Sequence, residues 1–315
     1  MDFLKASTLT IPHPTHSGTL SIPAPVTSTH HHHHHKPTAL PPPYPEGPSA
    51  HIVHVHDTGK KALWVFWAIF TVSFLVVLLM AKRVERKLRL FHLLTATILG
   101  MAMISYLAMA SGMGVALQRQ FENAADGSRV LRQVFYARYI DWSLTTPLLL
   151  LDLALLSGMP LITTAVLILA DIAMILTGLF AALNSSSEKT RWLMYAVSCA
   201  FYLYVLFTLI FSGRNAAKLQ SAGVQRVYNV TALMIIVLWT GYPIVFGLTE
   251  GKGRLSVDTE IILYGILDVL AKVVFGFYLL LAHSHTEGDS VVLSGFFTEP
   301  RNAGQGYGAI NQDDD

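Results

Sequence analysis

The chain carries little charge for its length. Charged residues make up 13% of its 315 residues, whereas hydrophobic residues make up 52%. Soluble domains carry roughly twice this share of charge, so the composition indicates a membrane protein. The formal net charge is only +2, which excludes the strongly basic surface that nucleic-acid binding requires.

Cysteine is almost absent, and a secretory signal is not apparent. Cys199 is the only cysteine, so no disulfide can form within the chain. Residues 1–58 lack an apolar run long enough for the core of a signal peptide. They are rich in Pro, Thr, Ser and His, which predicts a disordered tail. Its six consecutive histidines, His30–His35, are either a native tract or an inserted tag, and no functional metal site is predicted there. Residues 284–315 are predicted to form a flexible second tail.

Long apolar runs, by contrast, are abundant between the two tails. Seven of them are each long enough to cross a hydrocarbon core of about 30 Å as a helix. We therefore predict an all-α membrane protein, a seven-transmembrane-helix bundle over residues 59–283 that contacts membrane lipid. We expect it to be multi-pass, to reside in the plasma membrane and not to be an enzyme. The predicted spans are approximately Lys61–Ala81, Arg89–Gly112, Val134–Ser157, Pro160–Leu183, Trp192–Ser212, Val227–Leu248 and Thr259–Ala282.

Basic residues give the predicted orientation of the bundle. Their totals on the two sides are nearly equal and do not decide it. The dense cluster between the first two spans favours a cytoplasmic position for that connection, so we predict an extracellular N-terminus. The cluster consists of Lys82, Arg83, Arg86, Lys87 and Arg89, and the connection between the fifth and sixth spans on the same side is expected to hold Arg214, Lys218 and Arg226.

One lysine lies in the middle of the seventh apolar run. Lys272 would cost about 3 kcal/mol in the hydrocarbon core on insertion scales, so something must compensate for its charge. Asp268 lies four residues earlier, on the same helical face, where its carboxylate can act as a counter-ion. A structural ion pair between helices is one interpretation. The other is an amine that forms a Schiff base with an aldehyde.

The third apolar run carries three ionisable residues, Arg138, Asp141 and Asp152. Eleven positions separate the two aspartates, so they share a helical face about 16 Å apart along the axis. Carboxylates inside a membrane mark an ion or proton route by default, although packing contacts are the alternative for either one alone. We expect Arg138 to hold Asp141 ionised and Thr145 to donate a hydrogen bond to it. Leucines flank Asp152, and burial among them favours the neutral acid.

Other polar and aromatic residues fit packing as well as function. Asp171 in the fourth run is explained by a neutral carboxyl group hydrogen-bonded between helices. Trp239 and Tyr242 lie three positions apart and face one way, as the wall of an aromatic pocket would, but such pairs also occur in ordinary packing. Glu250 and Glu260 flank the connection between the sixth and seventh runs, where solvated carboxylates are expected.

Two motifs allow a more specific interpretation. Arg-Tyr-x-Asp-Trp-x-x-Thr-Thr-Pro-Leu-Leu-Leu-Leu-Asp runs from Arg138 to Asp152, and Leu-Asp-Val-x-Ala-Lys ends at Lys272. Together they resemble the microbial (type 1) rhodopsins and, within that family, bacteriorhodopsin and the fungal proton-pumping opsins. The resemblance covers about residues 60–283 and implies the same seven-helix bundle.

The resemblance implies all-trans retinal joined to Lys272 as a protonated Schiff base. By the same likeness Asp141 and Asp268 are the counter-ions, and Asp141 is the proton acceptor. Asp152 matches the cytoplasmic proton donor, and Thr95 matches its hydroxyl partner.

The remaining assignments also come from the resemblance. Arg138 looks like the gating arginine, and Glu250 with Glu260 like the extracellular release pair. Tyr195 and Phe246 stand where the archaeal pump has tryptophans, which leaves the colour and the packing near the ring open. The residues expected to line the retinal pocket or the counter-ion network are Tyr106, Trp142, Thr146, Met174, Ser198, Trp239, Tyr242 and Phe246.

The transported ion is predicted from Asp141, Thr145 and Asp152. Halide pumps of this family lack the first carboxylate, sodium pumps carry an Asn-Asp-Gln pattern, and many sensory members lack the third carboxylate. The match therefore implies a light-driven outward proton pump. A slow-cycling sensory photoreceptor with the same chromophore is the alternative, because some fungal opsins keep the donor carboxylate yet hardly pump. Family likeness also points to a homo-oligomer such as a trimer.

Overall fold

Seven long helices dominate the structure, a computed structural model that describes residues 50–86, 89–120 and 129–284. Within these residues, seven helices are long and apolar enough to cross a membrane, which confirms the predicted seven-helix architecture of an integral, multi-pass membrane protein. They are α1 (Asp57–Arg83), α2 (Leu90–Ala110), α3 (Tyr136–Ser157), α4 (Leu161–Leu183), α5 (Glu188–Ala217), α6 (Ala222–Gly251) and α7 (Val257–Ala282).

The helices form a closed bundle whose core is mostly apolar and also holds buried charged side chains. Successive helices from α1 to α5 pack side by side, α6 packs against α3 and α7, and α7 packs against α1. Helix α3 lies deepest, with 61% of its most apolar stretch buried against 22% in α1. Outward residues of α1 such as Val72, Leu75 and Leu79 are more than half exposed. Such a face suits lipid tails, which are as apolar as leucine itself.

Helices α5 and α6 are longer than their apolar runs alone predict. Ser187 and Ser221 precede them, and each side chain accepts a hydrogen bond from a backbone N–H three residues on. Capping satisfies one of the unpaired donors at a helix start, so the polar first turns belong to the helices. Arg214 and Arg226, predicted in the connection between these spans, lie within α5 and α6 instead.

Three π-helical turns interrupt the described helices. They are Thr208–Gly213 in α5, Gly247–Gly251 in α6 and Val269–Val274 in α7. A π turn adds one residue to the helical turn and frequently occurs at a functional site. The turn in α7 contains Lys272.

A three-stranded sheet lies before α3 in the chain and leads into it. Strand β3 (Arg129–Val134) pairs in parallel with β1 (Ala50–Val53) and antiparallel with β2 (Ala116–Arg119). Strand β1 falls within the stretch predicted as a disordered tail, and backbone pairing with β3 gives it structure. Residues 1–49 of that tail, which include His30–His35, lie outside the described residues, as do Lys87 and the predicted C-terminal tail from residue 285 onward.

Candidate functional site

A buried lysine and two buried aspartates meet inside the bundle. Nζ of Lys272 in α7 donates hydrogen bonds to Oδ2 of Asp141 at 2.6 Å and to Oδ1 of Asp268 at 2.9 Å. All three residues are at most 3% exposed. A buried ammonium is tolerated when it is paired, and the two carboxylates provide that compensation. Asp268 reaches the amine because it lies one helical turn earlier on α7, whereas Asp141 approaches from α3.

The two carboxylates differ in how many donors they accept from. Besides Lys272, Asp268 accepts hydrogen bonds from Tyr106 at 2.7 Å, Trp142 at 3.0 Å and Tyr242 at 2.9 Å. Four donors stabilise the ionised form of Asp268 and fix its position. Asp141 accepts from Lys272 through Oδ2, while its buried Oδ1 has no partner among the described residues. Asp141 is therefore the carboxylate that can more readily take a proton from the amine.

An apolar cavity extends from Lys272 and Asp268 between α3, α4, α5 and α6. Seven of the eight residues predicted for the pocket or counter-ion network line it, namely Trp142, Thr146, Met174, Ser198, Trp239, Tyr242 and Phe246. The eighth, Tyr106, holds Asp268 instead. Aromatic and aliphatic walls with one cationic end suit an apolar ligand that is attached to the amine. Lining residues that sequence analysis did not assign to the pocket include Tyr139, Leu149, Ile175, Cys199, Tyr202 and Tyr264.

Two glutamates and two arginines form a second buried cluster. Nη1 of Arg138 donates to Oε1 of Glu260 at 3.0 Å, and Nη2 of Arg132 donates to Oε2 of the same residue at 2.8 Å. The hydroxyl of Tyr139 donates to Oε2 of Glu250 at 2.5 Å. Both glutamates are fully buried, so the expectation of solvated loop carboxylates is wrong. Helices α6 and α7 extend far enough to carry them into the protein.

Arg138 points to this cluster rather than to Asp141. Its guanidinium carbon lies 4.4 Å from the centroid of the Tyr264 ring, in addition to its bond with Glu260. A hydrogen bond between Arg138 and Asp141 is absent from the described residues, and Lys272 compensates the charge of Asp141 directly. Arg132 was not predicted as a site residue, because a basic residue in a connection normally contacts solvent, whereas this one is 2% exposed.

The opposite half of α3 contains an isolated carboxyl group. Asp152 is completely buried, and Thr95 of α2 is 1% exposed. Within the described part of the chain, neither Oδ1 nor Oδ2 of Asp152 has a hydrogen-bond partner, and nor does Oγ1 of Thr95. The predicted pairing of these two residues is therefore not a direct hydrogen bond. Leucines that are at most 1% exposed lie nearby in α3, namely Leu149, Leu150, Leu153 and Leu156.

Thr145 of α3 departs from its expected partner, whereas Thr146 forms the interhelical bond expected for Asp171. Thr145 donates to the backbone carbonyl of Asp141 at 2.8 Å and not to its carboxylate. A hydroxyl on a helix readily bonds to the carbonyl four residues before it, and that local acceptor is used here. Thr146 donates to Oδ2 of Asp171 at 2.8 Å, so Asp171 is hydrogen-bonded between α4 and α3.

Comparisons with known proteins agree with this architecture. The model of the bacteriorhodopsin-like protein family matches residues 58–286. Opsin-1 of Neurospora crassa is 39% identical over 249 residues, which cover 77% of this chain and 82% of that protein. The structure of the light-driven proton pump LR (Mac) from Leptosphaeria maculans is 38% identical, with a TM-score of 0.71, and the match covers 76% of this chain and all of that chain.

An ion pump of different selectivity is similar as well. The structure of halorhodopsin, described as a light-driven chloride pump, is 33% identical with a TM-score of 0.70. The match covers 76% of this chain and 99% of that one. Because a proton pump and a chloride pump are both similar to this chain, these comparisons show its family but not the ion that it transports. From the match over residues 58–286 and the shared seven-helix architecture, the chain belongs to the bacteriorhodopsin-like protein family, the microbial rhodopsins.

Proposed function

We propose that the protein is a light-driven outward proton pump whose retinal is attached to Lys272. The family implies a retinal chromophore, and the apolar cavity that ends at Lys272 fits one. Bound there as a Schiff base in the all-trans form, retinal supplies the absorption of visible light and a light-driven change at the N–H of Nζ. Trp142, Trp239 and Tyr242 would hold it between aromatic walls.

The contact between Lys272 and Asp141 is the observation that carries the proposal. Oδ2 of Asp141 already accepts the hydrogen bond from Nζ at 2.6 Å, so the donor and the acceptor of the proton are in direct contact. Asp268 is a poorer acceptor because four donors stabilise its charge. The proton therefore moves from Nζ to Asp141, while Asp268 remains the fixed counter-ion.

The exit route continues through the second buried cluster. Arg138 and Glu260 follow Asp141 toward the sheet, and Glu250 lies beside them on Tyr139. A proton on Asp141 removes one negative charge beside Lys272, which favours a shift of the Arg138 guanidinium and the release of a proton from the glutamates. We assign this side to the exterior, in keeping with the predicted extracellular N-terminus.

The entry route uses the isolated carboxyl group of Asp152. Burial without hydrogen bonds favours its neutral form, which can donate a proton toward Nζ of Lys272 after the first proton has left. Asp152 then refills from the cytoplasm. The direction of transport thus comes from two carboxyl groups in contrasting surroundings. Asp141 is paired with Lys272, whereas Asp152 is buried without a hydrogen bond among the described residues. Each proton moved against 100 mV stores about 2.3 kcal/mol.

Two alternatives make different use of the same fold. A chloride pump needs room for an anion beside the lysine, and here two carboxylates lie within 3 Å of Nζ and disfavour a third negative charge. A sensory photoreceptor would keep the chromophore but complete its cycle slowly. The combination of an acceptor beside the amine and a buried acid on its other side favours the pump.

Illuminated vesicles test the proposal. The full chain is reconstituted with retinal in lipid vesicles of known orientation, and the external pH is recorded during illumination. We expect acidification on the side that carries the sheet, abolished by a protonophore and unchanged when chloride is replaced by sulfate. No pH change together with a cycle lasting seconds or longer would favour the sensor, and chloride dependence would favour the halide pump.

A further inference from the structure

We propose that Arg132 fixes Glu260 as a permanent anion and thereby makes Glu250 the member of the glutamate pair that holds a proton in the dark. The inference rests on the proposed outward pump, in which this pair lies on the exit route. Arg132 is a positioning residue in this scheme, because it acts through the carboxylate of Glu260. Its side chain reaches from β3 to Glu260, although the sequence indicates only a charged connection at this point.

Glu260 is committed to two cations at once. Its Oε1 accepts from Arg138 at 3.0 Å and its Oε2 accepts from Arg132 at 2.8 Å, so each oxygen has its own guanidinium partner. Charge-assisted hydrogen bonds of this kind are the strong ones in proteins. Nη1 of Arg132 also donates to the backbone carbonyl of Leu255 at 2.8 Å, which holds the guanidinium in place. Protonation of Glu260 would leave two buried cations poorly compensated.

Glu250 has much weaker support for a negative charge. Among the described residues its side chain accepts a hydrogen bond from Tyr139 at Oε2, and the buried Oε1 has no hydrogen-bond partner. Arg191 approaches Glu250, but its Nη1 donates to the backbone carbonyl at 3.4 Å. An ionised carboxylate buried with so few donors is costly, and a proton on Oε1 removes that charge.

Arg132 is the cation that distinguishes the two glutamates. Arg138 and Arg132 both pair with Glu260, whereas Lys272 pairs with Asp141 and Asp268. The buried Arg191 lies beside Glu250 and donates to its backbone carbonyl. Without Arg132, Glu260 would lose one of its two guanidinium partners, and its preference over Glu250 for the ionised form would fall.

The protonation of the two glutamates in the dark tests the proposal directly. The full chain, loaded with retinal in lipid vesicles, is labelled with ¹³C at its glutamate carboxyl carbons and studied by solid-state NMR at neutral pH. Glu250→Gln and Glu260→Gln assign the two signals. We expect Glu260 at the chemical shift of a carboxylate and Glu250 at that of a carboxylic acid. An ionised Glu250 or a protonated Glu260 in the wild type overturns the proposal without any change to Arg132.

Variants of Arg132 test its part separately. Arg132→Gln removes the cation, and we expect the Glu260 signal to shift toward the acid and the Glu250 signal toward the carboxylate. Arg132→Lys should restore both wild-type positions. Arg129→Gln removes an exposed arginine from the same strand and should leave both signals in place. Wild-type shifts in Arg132→Gln would refute the role of Arg132, and misfolding of that variant would leave the wild-type measurement and Arg132→Lys to decide.

Flash-induced pH changes distinguish this proposal from the proposed pump. If wild-type vesicles do not acidify the exterior, the pump fails, whereas the NMR test of the glutamates remains valid. If the wild type pumps, we expect Glu250→Gln to lose the early release of a proton while the pigment still completes its cycle. Early release that persists unchanged in Glu250→Gln contradicts the present inference alone.

Discussion

Nζ of Lys272 and Oδ2 of Asp141 are only 2.6 Å apart, although 131 positions separate the two residues in the chain. Helices α7 and α3 thus place a buried amine directly against a buried carboxylate. Within the proposed pump this is the donor and the acceptor of the first proton transfer.

Lys272→Ala should abolish the visible absorption band that appears when retinal is added. No imine can form without the amine, and no other lysine lines the cavity in the described residues. Lys218→Ala, which removes an exposed lysine of the connection after α5, should give a normal pigment. The absorption spectrum after reconstitution is the measurement, and a coloured Lys272→Ala protein would refute the attachment site.

Asp141→Asn should shift the absorption maximum to longer wavelength and abolish outward transport. The negative charge of Asp141 stabilises the protonated Schiff base in its ground state, and its loss narrows the gap to the excited state. Because the acceptor is also lost, transport should fall by about 100-fold or more. Spectra and light-driven pH changes in vesicles check both effects. Undiminished pumping would show that another group takes the proton.

Asp152→Asn should leave the colour nearly unchanged and slow the return of the proton to Nζ by about 100-fold or more. Without the buried acid, the proton must come from bulk solvent, so recovery should slow further as pH rises. Flash spectroscopy at several pH values provides the test. Asp171→Asn, whose amide oxygen can still accept from Thr146, is the matched control and should recover at the wild-type rate. Wild-type recovery in Asp152→Asn would support the sensory alternative.

Gly265→Ala should destabilise the bundle where α7 meets α1. A Cβ atom at Gly265 would lie 2.1 Å from Cε2 of Phe66, a buried ring that cannot easily move away. Overpacking of this kind costs about 1–3 kcal/mol. Gly247→Ala is the control, since the nearest atom to its Cβ would be 4.0 Å away. Thermal bleaching of the pigment should occur at a lower temperature in Gly265→Ala alone.

The seven-helix fold and the ion pair between Asp268 and Lys272 could be predicted because both depend on local periodicity. An apolar run of about 20 residues is enough to indicate a spanning helix. A spacing of four residues is enough to place Asp268 beside Lys272. The seven-helix architecture was predicted from such runs and the family from the resemblance of the two motifs, and both are confirmed.

The second cluster could not be predicted in the same way. Arg132 and Glu260 are 128 positions apart, and Tyr139 and Glu250 are 111 positions apart. Local periodicity carries no information about such pairs, and charged residues near predicted helix ends normally face solvent. The partner of Thr145 was predicted wrongly for a different reason. Its hydroxyl could donate either to the carboxylate or to the backbone carbonyl of Asp141, and it donates to the carbonyl.

In the proposed pump, the leucines around Asp152 also insulate the membrane electrically. A continuous chain of hydrogen-bonded groups across a bilayer would conduct protons passively and discharge the membrane voltage. Here the chain is broken, because among the described residues neither oxygen of Asp152 is hydrogen-bonded and the neighbouring leucines are at most 1% exposed. This apolar layer would allow protons to cross in one direction only. It prevents back-leak in the dark, and it obliges each proton to wait for the light-driven change at Lys272 before it can cross.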